Sequence, residues 1–390
     1  MSGHDKRLLV LGTGFAALGV LRGLTRRDLL DRLEVLFVSS SGSFEYLPSA
    51  PELVSDKVTR EEIRRDLSHA LKMLGAELVR ARATELQLED RRVSLETGEV
   101  LDYDYLAVGI GARPWMPPGG LPSSATTTYR VDDTLRFRQL LSEASGGTVL
   151  IVGAGLTGVE VAGEVVDLGE RLGVDYRVTI VEKLERAAPC MGNARAGELA
   201  KSFLESRGVR FILGRGVERM EEGRAILEDG EELEFEAAAW TAGVVPPEPV
   251  ERLPRKYKRG RFMAVDEYMR VIGAQGAYAA GDCVHLEVGG RWAAKMAEEA
   301  MFQGETIAEN IWRELKGLPP RGHKIRFSVQ SPRCLVSLGA GRAVLAYGKR
   351  IALLGRFPYM LKKRIERRFM AELDELLGRL PEPSARERQG

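Results

Sequence analysis

Apolar residues divide most of this chain into short runs, each followed by a glycine-rich turn and a segment with helical spacing. Unbroken runs of four to six apolar residues are typical of buried strands, and recurrence every three or four residues is typical of helices. This alternation predicts an α/β fold with parallel sheets. Strands are predicted at residues 8–11, 33–38, 149–152, 177–181, 235–243 and 277–282, a hairpin at 85–95, and helices at 18–24, 58–74, 159–172 and 359–380.

The length and composition of the chain exclude several classes of protein. A chain of 390 residues exceeds a usual single core, so two or three domains are expected. A net charge of +1 provides no dominant basic face, which argues against nucleic acid as a partner. No run approaches the roughly 20 apolar residues that span a bilayer. The three cysteines are widely spaced without a CxxC pair, so we expect neither a metal site nor a disulfide framework.

Two glycine fingerprints follow predicted strands, GTGFAA at residues 12–17 and the more complete GAGLTG at residues 153–158. Glycines allow a tight turn and a close backbone approach to a pyrophosphate, while the helix N-terminus attracts its negative charge. One such loop is a weak signal, whereas two in one chain predict two dinucleotide sites. The candidate binding residues are Gly12, Gly14, Phe15 and Ala16 in the first loop, and Gly153, Gly155, Leu156, Thr157 and Gly158 in the second.

The residue at the end of the second strand of each unit indicates which nucleotide binds there. Folds of this kind often place an acidic residue there to bind ribose hydroxyls. The first unit has Ser39, whose hydroxyl can make only a weaker contact, and the second has Glu182. A carboxylate accepts from both ribose hydroxyls and repels a 2′-phosphate, so Glu182 favours NADH over NADPH. An ordinary solvated strand end is the alternative.

The order of these elements predicts that one nucleotide domain is inserted into the other. Polar residues near 126–141 and prolines near 246–249 mark the crossings. We therefore predict a first-domain segment at residues 1–130, an inserted NAD(P)H domain at 131–250, a second segment of the first domain at 251–320, and a C-terminal α+β region at 321–390. Further strand ends supply the candidate cofactor residues Gly111, Gly243, Gly281 and Asp282.

These motifs resemble the flavoproteins with two dinucleotide-binding domains. The similarity rests on GTGFAA, DYLAVGIGARP at 104–114, GAGLTGVEVAGE at 153–164 and AYAAGDC at 277–283, in the family's order. It implies FAD at the first loop and NAD(P)H at the second, with Asp282 on the ribityl chain of FAD. Asp282 could equally cap a helix.

Within that family, the chain looks most like type II NADH dehydrogenases, which pass electrons from NADH to a membrane quinone. The extended second fingerprint and the stretch 44–54, which stands in place of a redox-cysteine helix, support this similarity. A third stretch, AEEAMFQG at 297–304, resembles a quinone-site element in which Gln303 matches and Glu298 replaces a glutamine. Quinone is therefore the electron acceptor that the resemblance implies.

Hydride transfer needs the two cofactors to be positioned, because their own chemistry does the work. By resemblance, Glu160 is the carboxylate that faces the nicotinamide or the flavin. Lys295 could stabilise negative charge on a reduced flavin. The alternative for Glu160 is a surface glutamate at the positive end of a helix, and the alternative for Lys295 is a solvated side chain.

Two other functions stay open. The pair Lys295 and Glu298 is also similar to sulfide:quinone oxidoreductases, which need two cysteines near the flavin, and Cys190 and Cys334 could serve. The intact second fingerprint counts against this reading, since those enzymes tend to lose it. A redox-sensing protein that binds FAD and NADH with low turnover is the third possibility.

The composition of the predicted helix at 359–380 indicates where in the cell the protein is located. It carries Leu361, Ile365, Phe369, Leu373, Leu376 and Leu380 near one side, and Lys362, Lys363, Arg364, Arg367 and Arg368 in its first half. A basic amphipathic helix can lie in a membrane interface. This predicts a cytoplasmic protein that is peripheral on the inner face of the cell membrane. Packing on the protein's own core or in a homodimer is the alternative, because the second half of the helix is acidic.

Overall fold

Strands and helices alternate through residues 6–378, the part of the chain that this computed structural model describes. The helices are α1 (Phe15–Thr25), α2 (Arg60–Ile63), α3 (Ser68–Met73), α4 (Val131–Ala144), α5 (Leu156–Leu172), α6 (Ala194–Glu205), α7 (Glu248–Glu251), α8 (Ala297–Leu315) and α9 (Arg356–Leu376). Short 3₁₀ helices lie at Leu47–Leu53, Pro189–Met191, Arg255–Tyr257 and Gly281–Cys283. The strands are β1 (Arg7–Leu11), β2 (Glu34–Val38), β3 (Ser43–Glu45), β4 (Arg64–Asp66), β5 (Ala76–Val79), β6 (Ala83–Gln87), β7 (Arg92–Leu95), β8 (Val100–Asp102), β9 (Tyr105–Val108), β10 (Arg113–Pro114), β11 (Ala125–Thr127), β12 (Gly147–Val152), β13 (Tyr176–Glu182), β14 (Arg210–Leu213), β15 (Val217–Glu221), β16 (Arg224–Leu227), β17 (Glu232–Glu234), β18 (Ala237–Trp240), β19 (Val244–Val245), β20 (Lys258–Arg259), β21 (Phe262–Ala264), β22 (Ala277–Ala279), β23 (Val284–His285), β24 (Glu287–Val288), β25 (Arg291–Trp292), β26 (Arg333–Ser337), β27 (Ala343–Tyr347) and β28 (Ile351–Gly355).

Two parallel sheets of five strands organise the molecule. The first has the order β22-β9-β1-β2-β5 and the second the order β11-β18-β12-β13-β14. The chain builds most of the first sheet, crosses to the second at β11, and returns to the first at β22. The predicted α/β fold with two Rossmann-like domains, one inserted in the other, is confirmed. The exact boundaries at residues 130, 250 and 320 stay predictions.

The apolar runs form strands because both faces of each sheet are covered. In β1, Leu8, Leu9, Val10 and Leu11 are fully buried. In β12, Val149 to Val152 are buried in the same way, which is why these strands lack the alternation of a half-exposed strand. The fully apolar runs seen in the sequence are therefore the central strands of the two domains.

Helices α1 and α8 pack with their backbones in close contact. A Cβ atom on Gly19 of α1 would lie 2.0 Å from the carbonyl oxygen of Met301 in α8. A Cβ atom on Gly304 of α8 would lie 2.1 Å from the carbonyl oxygen of Ala16. Only glycine permits this approach, which sets the first turns of α8 against the first glycine loop.

The prediction of a single helix at residues 58–74 is wrong. Those residues form α2, then β4, then α3, because β4 pairs antiparallel with β3. The capping box at Thr59 starts a helix that the sheet pairing then ends after one turn. A long-range strand pairing has overridden the local helical spacing, whereas the predicted hairpin at 85–95 is confirmed by β6 and β7.

The C-terminal region consists of the antiparallel sheet β26-β27-β28 followed by α9, as the predicted α+β region requires. Phe369 of α9 packs on Phe15, Phe44 and Tyr46, with ring centroids 5.4, 5.7 and 5.1 Å apart. This helix therefore closes over the first glycine loop. No helix among residues 6–378 is long and apolar enough to cross a membrane.

The contact between α1 and α8 can be tested with Gly304→Ala. The added methyl group meets backbone, which cannot rotate away, so we expect unfolding to become easier by about 1–3 kcal/mol. Thermal unfolding of the purified protein measures the change. Gly322→Ala is the matched control, since no atom lies within 4 Å of its Cβ position. Equal melting temperatures for the two variants would contradict the close packing.

Candidate functional site

The first glycine loop joins β1 to α1 in the conformation that its glycines allow. Gly12 has φ of +98°, and a Cβ atom on it would lie 2.5 Å from the carbonyl oxygen of Gly109. Gly14 has no atom within 4 Å of its Cβ position, so its outer side is open. The loop thus presents an open backbone surface at the N-terminus of α1, which suits a pyrophosphate.

Three further candidates meet beside this loop. The 3₁₀ helix Gly281–Cys283 begins where β22 ends, and the Gly281 amide donates to Oε1 of Gln303 at 2.8 Å. Lys295 donates from Nζ to the carbonyl oxygens of Asp282 and Val284. Gln303 and Lys295, predicted as catalytic residues, therefore both bind backbone groups around Asp282.

The side chain of Asp282 fits a hydroxyl-bearing ligand. Burial raises the pKa of its carboxyl group, and the nearby Lys295 ammonium only partly opposes that shift. No hydrogen-bond donor from residues 6–378 reaches this carboxylate. A half-buried acceptor with no protein donor is suited to the hydroxyl groups of a bound molecule.

Ser39 lies where the missing acid was expected. Its hydroxyl is 3.0 Å from Oγ1 of Thr13 and accepts from the Gly42 amide at 3.2 Å. Arg64 donates to the neighbouring Ser43 hydroxyl at 3.2 Å. Hydroxyl groups and a cation therefore replace the carboxylate at this end of β2.

The second glycine loop shows the tight helix–strand packing of a dinucleotide fingerprint. Gly153 has φ of +103°, and a Cβ atom on Gly158 would lie 1.9 Å from the carbonyl oxygen of Gly153. Leu156 and Thr157 begin α5, with Gly155 as its N-cap. Around the Cβ position of Gly155 the nearest atom is Sγ of Cys190, at 3.8 Å, so the loop opens towards that thiol.

Glu182 ends β13 beside this second loop. Its carboxylate accepts from the Ala154 amide at 2.7 Å and from the Leu184 amide at 2.9 Å. Gly243, with φ of +84°, follows β18 on the other side, and its carbonyl accepts from Trp115 at 3.1 Å. The acid and both glycine turns therefore converge on one opening at the carboxyl ends of the second sheet.

Glu160 faces inward from α5 and binds the C-terminal region. Its Oε1 accepts from the Ser337 amide at 3.0 Å and from Nζ of Lys362, and only 7% of the residue is exposed. Burial raises the pKa of this carboxyl group, which Lys362 opposes in part. The alternative of a solvated surface glutamate is therefore wrong.

The structure brings Cys190 and Cys334 to the same region. Burial raises the pKa of Cys190 and raises that of Cys334 to about 12, and the charge of Glu160 contributes to both shifts. Cys283 lies elsewhere, fully buried, with its thiol against the carbonyl oxygens of Val108 and Ala280. Its packing is that of a structural residue.

Two lysines of α9 lie on a different side of the helix from the one that the sequence predicts. Lys362 and Lys363 were expected among outward cations, but they pair with the buried carboxylates of Glu160 and Glu52. The pairing follows from the docking of α9 against α5 and the 3₁₀ helix Leu47–Leu53, which helical spacing cannot reveal. Leu380, expected on the apolar side, lies outside the described residues.

Tyr129, which follows the first crossing between domains, is a further site residue that no sequence motif indicates. Its hydroxyl accepts from the Ala112 amide at 3.3 Å and lies 3.9 Å from a Cβ position on Gly111. Burial and the charge of Asp282 both raise the pKa of the phenol. Tyr129 therefore faces Asp282 across the opening beside the first loop, a position with no local sequence signal.

Together, these features define a protein that binds two dinucleotides, one at each parallel sheet. The profile of the pyridine nucleotide-disulphide oxidoreductases matches residues 6–304, and the chain belongs to this family. An NADH dehydrogenase-like protein of Mycobacterium tuberculosis is 31% identical over 297 residues, covering 71% of this chain and 72% of the relative. A type II NADH:quinone oxidoreductase of Staphylococcus aureus is 26% identical over 396 residues, covering 94% and 96%.

Solved structures show the same fold. The sulfide:quinone oxidoreductase of Aquifex aeolicus superposes with a TM-score of 0.81 at 17% identity, covering 98% of this chain and 94% of that one. NDH2 from Plasmodium falciparum in complex with NADH gives a TM-score of 0.78 at 16% identity, covering 92% and 94%. At such identities the likeness concerns the fold alone.

Tyr129→Phe tests whether the phenol contacts FAD. Because the hydroxyl accepts one bond and donates none to residues 6–378, its proton is available to a ligand. We expect the dissociation constant for FAD to rise about three- to tenfold, the equivalent of one hydrogen bond. Fluorescence titration of the apoprotein measures it. Tyr103→Phe is the control, since its buried hydroxyl lies at the other end of β9, and equal losses in both variants would contradict the assignment.

Proposed function

We propose that this oxidoreductase transfers a hydride from NADH to FAD and passes the electrons to a membrane quinone. The observation that carries the proposal is the pair of intact glycine loops, one at each sheet, with Asp282 beside the first and Glu182 beside the second. The first loop holds FAD and the second holds NADH. Relatives named for NADH oxidation support the same donor.

The protein's contribution is to bind and orient, since the cofactors supply the hydride chemistry themselves. Open backbone at Gly14 and Gly155 receives the two pyrophosphates. Asp282 accepts from ribityl hydroxyls of FAD, and Glu182 accepts from the ribose of NADH. The Glu182 carboxylate is already held by two backbone amides, so it is fixed before the nucleotide arrives.

Glu160 is the acid–base group that we assign to the reaction. Its carboxyl group is buried beside the second loop, where burial raises its pKa and the Lys362 ammonium opposes that rise in part. Lys362 and the Ser337 amide fix its orientation. Glu160 therefore serves as the local proton donor for an acceptor that gains hydrogen.

The quinone site is assigned to the first turns of α8. Gln303 is buried and bound to the Gly281 amide, which places it beside the FAD loop. Glu298 lies just over one turn before Gln303 in α8. Burial raises the pKa of its carboxyl group, and its negative charge contributes to the raised pKa of the Tyr46 phenol. A half-buried carboxyl group and an amide near the flavin suit an acceptor with two carbonyl groups.

A sulfide:quinone oxidoreductase is the second candidate, because Cys190 and Cys334 lie on the same side of the second loop. A sulfur-transferring mechanism needs one thiolate to attack and a disulfide to accept. Burial raises the pKa of the half-buried Cys334 thiol to about 12, which disfavours its thiolate and weighs against this function, although Cys190 is exposed.

The two candidate functions can be distinguished by mixing the FAD-loaded protein anaerobically with NADH, NADPH or sulfide. We expect NADH to bleach the flavin absorbance fastest and NADPH more slowly, because Glu182 repels the 2′-phosphate. A soluble quinone should then restore the oxidised absorbance. Stopped-flow absorbance gives each rate.

Bleaching by sulfide but not by NADH, lost in Cys190→Ser or Cys334→Ser, would overturn the proposed function. Slow reduction by every donor would instead favour a redox-sensing role. Thr97→Ser, an exposed change on the turn between β7 and β8, serves as the control substitution.

We also assign the membrane-facing surface to the start of α9 and the strand before it. Large apolar side chains are exposed there, with Phe357 at 63% and Met360 at 65%. Ile351 and Leu353 of β28 are also exposed, and the exposed cations nearest to them in the chain include Arg350, Arg356 and Arg364. Exposed apolar side chains with exposed cations close by in the chain suit an anionic bilayer surface.

Phe357→Asp tests this surface. A carboxylate at this exposed apolar position should be repelled by anionic headgroups, so we expect co-sedimentation with phosphatidylglycerol vesicles to fall several-fold. Met73→Asp is the matched control, since Met73 is 73% exposed on α3, outside this surface. Unchanged vesicle binding by Phe357→Asp would rule the assignment out.

A further inference from the structure

The end of β2 lies directly beside the first glycine loop. The Gly12 amide donates to the carbonyl oxygen of Val38, the last residue of β2, at 2.8 Å. In this kind of fold, the adenosine ribose of a nucleotide on the loop lies at the turn that follows this strand. Here that turn is residues 39–43, which are four serines and one glycine, and we name it the serine turn.

Hydrogen bonds hold the serine turn against the loop. The Thr13 hydroxyl donates to the carbonyl oxygen of Ser43 at 2.7 Å and lies 3.0 Å from the Ser39 hydroxyl. From the other side, Arg80 donates to the carbonyl oxygen of Ser41 at 2.7 Å. The serine turn therefore presents its hydroxyl groups in fixed positions next to the loop.

Arg64 reaches the serine turn from β4. This strand pairs antiparallel with β3, and residues directly opposite each other in such a pair share one face of the sheet. Arg65 and Phe44 share the face towards α9, where Arg65 pairs with Asp374 at 2.6 Å. Arg64 lies on the other face, and its Nη2 donates to the Ser43 hydroxyl at 3.2 Å.

The charge of Arg64 is not paired among residues 6–378. Its hydrogen bond goes to a neutral hydroxyl, and no carboxylate of the described chain lies within 4.0 Å of its guanidinium group. Glu45, directly opposite on β3, accepts instead from the Val131 amide at 3.5 Å. By contrast, the nearby Arg80 pairs with Asp66 at 2.8 Å. Arg64 is therefore a half-buried cation with donor groups available to a ligand.

The second nucleotide site has a different arrangement of charge. Glu182 supplies a carboxylate at the end of β13, the position that Ser39 occupies in the first site. Lys183 follows Glu182 in the chain and pairs with Glu228 at 2.7 Å. The second site thus offers a carboxylate beside a cation that is already paired, whereas the first offers an unpaired cation in place of the carboxylate.

A phosphate group suits an unpaired guanidinium near the N-terminus of a helix. Two hydrogen bonds, through Ser43 and Thr13, connect Arg64 to the loop residue next to Gly14. We propose that Arg64 binds the phosphates of FAD and replaces the missing acid as the charged contact of the adenosine half. This inference rests on the proposed assignment of FAD to the first loop.

Unequal retention of the two nucleotides suits the proposed reaction. FAD must stay bound while NADH enters and NAD⁺ leaves in every cycle. Charge-assisted contacts to phosphate are about twice as strong as neutral hydrogen bonds. A free cation at the first site therefore favours a resident nucleotide there.

The test uses Arg64→Gln in the full-length apoprotein, titrated with FAD and with riboflavin by flavin fluorescence. The dissociation constant for FAD should rise about tenfold, because a hydrogen bond to a charged group is lost. Riboflavin has the same ring and ribityl chain without phosphates, so its dissociation constant should not change. Added NaCl should weaken FAD binding more steeply in the wild type than in the variant, because salt screens the charge.

Two further variants complete the test. Arg64→Lys keeps the charge and should recover part of the lost FAD affinity. Arg82→Gln is the matched control, since it removes one cation from a side chain that is 72% exposed and paired with Glu96 at 3.2 Å. If Arg64→Gln folds poorly, Arg64→Met replaces it, because methionine keeps an unbranched side chain without the charge.

An unchanged FAD dissociation constant in Arg64→Gln would overturn the phosphate contact. Equal losses for FAD and riboflavin would overturn it as well, because they indicate a structural role. A wild-type apoprotein that binds no FAD would instead overturn the assignment of FAD to the first loop. The failure of this inference and the failure of the proposed function are therefore distinguishable.

Discussion

The ion pair between Lys362 and Glu160 is the contact on which the arrangement of the C-terminal region depends. Both side chains are about nine-tenths buried, so each needs the other to offset the loss of water. Removing one partner of such a pair typically costs about 3–5 kcal/mol. The pair therefore holds α9 against the inserted domain, while Phe369 of the same helix packs on the first glycine loop. One helix thus contacts both nucleotide domains.

Close backbone contact is the second constraint, and it explains why glycines recur at both loops. Gly12 and Gly153 have positive φ, and Gly158, Gly19 and Gly304 have backbone where a side chain would begin. Such contacts bring Gln303 to the Gly281 amide and set α5 on β12. The helix N-termini then point at the open sides of the loops, which is the electrostatic basis of both proposed nucleotide sites.

Much of the fold could be predicted from local patterns. The fully apolar strands at residues 8–11 and 149–152 and the two loops were visible because each depends on neighbours in the chain. The predicted helix at 58–74 was wrong because β4 pairs with β3, some twenty residues earlier. Predicted site residues lie around Asp282 and around Glu182, while Glu160 lies against the C-terminal region, and the roles of all of them stay proposals. Tyr129 and Glu52 went unnoticed, since their partners come from distant segments.

The sequence by itself determined the class of the molecule, because glycine spacing, strand ends and apolar runs are local and each has its own physical reason. It could not determine where charges lie once helices pack. Lys362 and Lys363 have the helical spacing of a solvated face, yet they are drawn inward by Glu160 and Glu52. Only the tertiary structure decided this, since burying a charge depends on finding an opposite charge on another element.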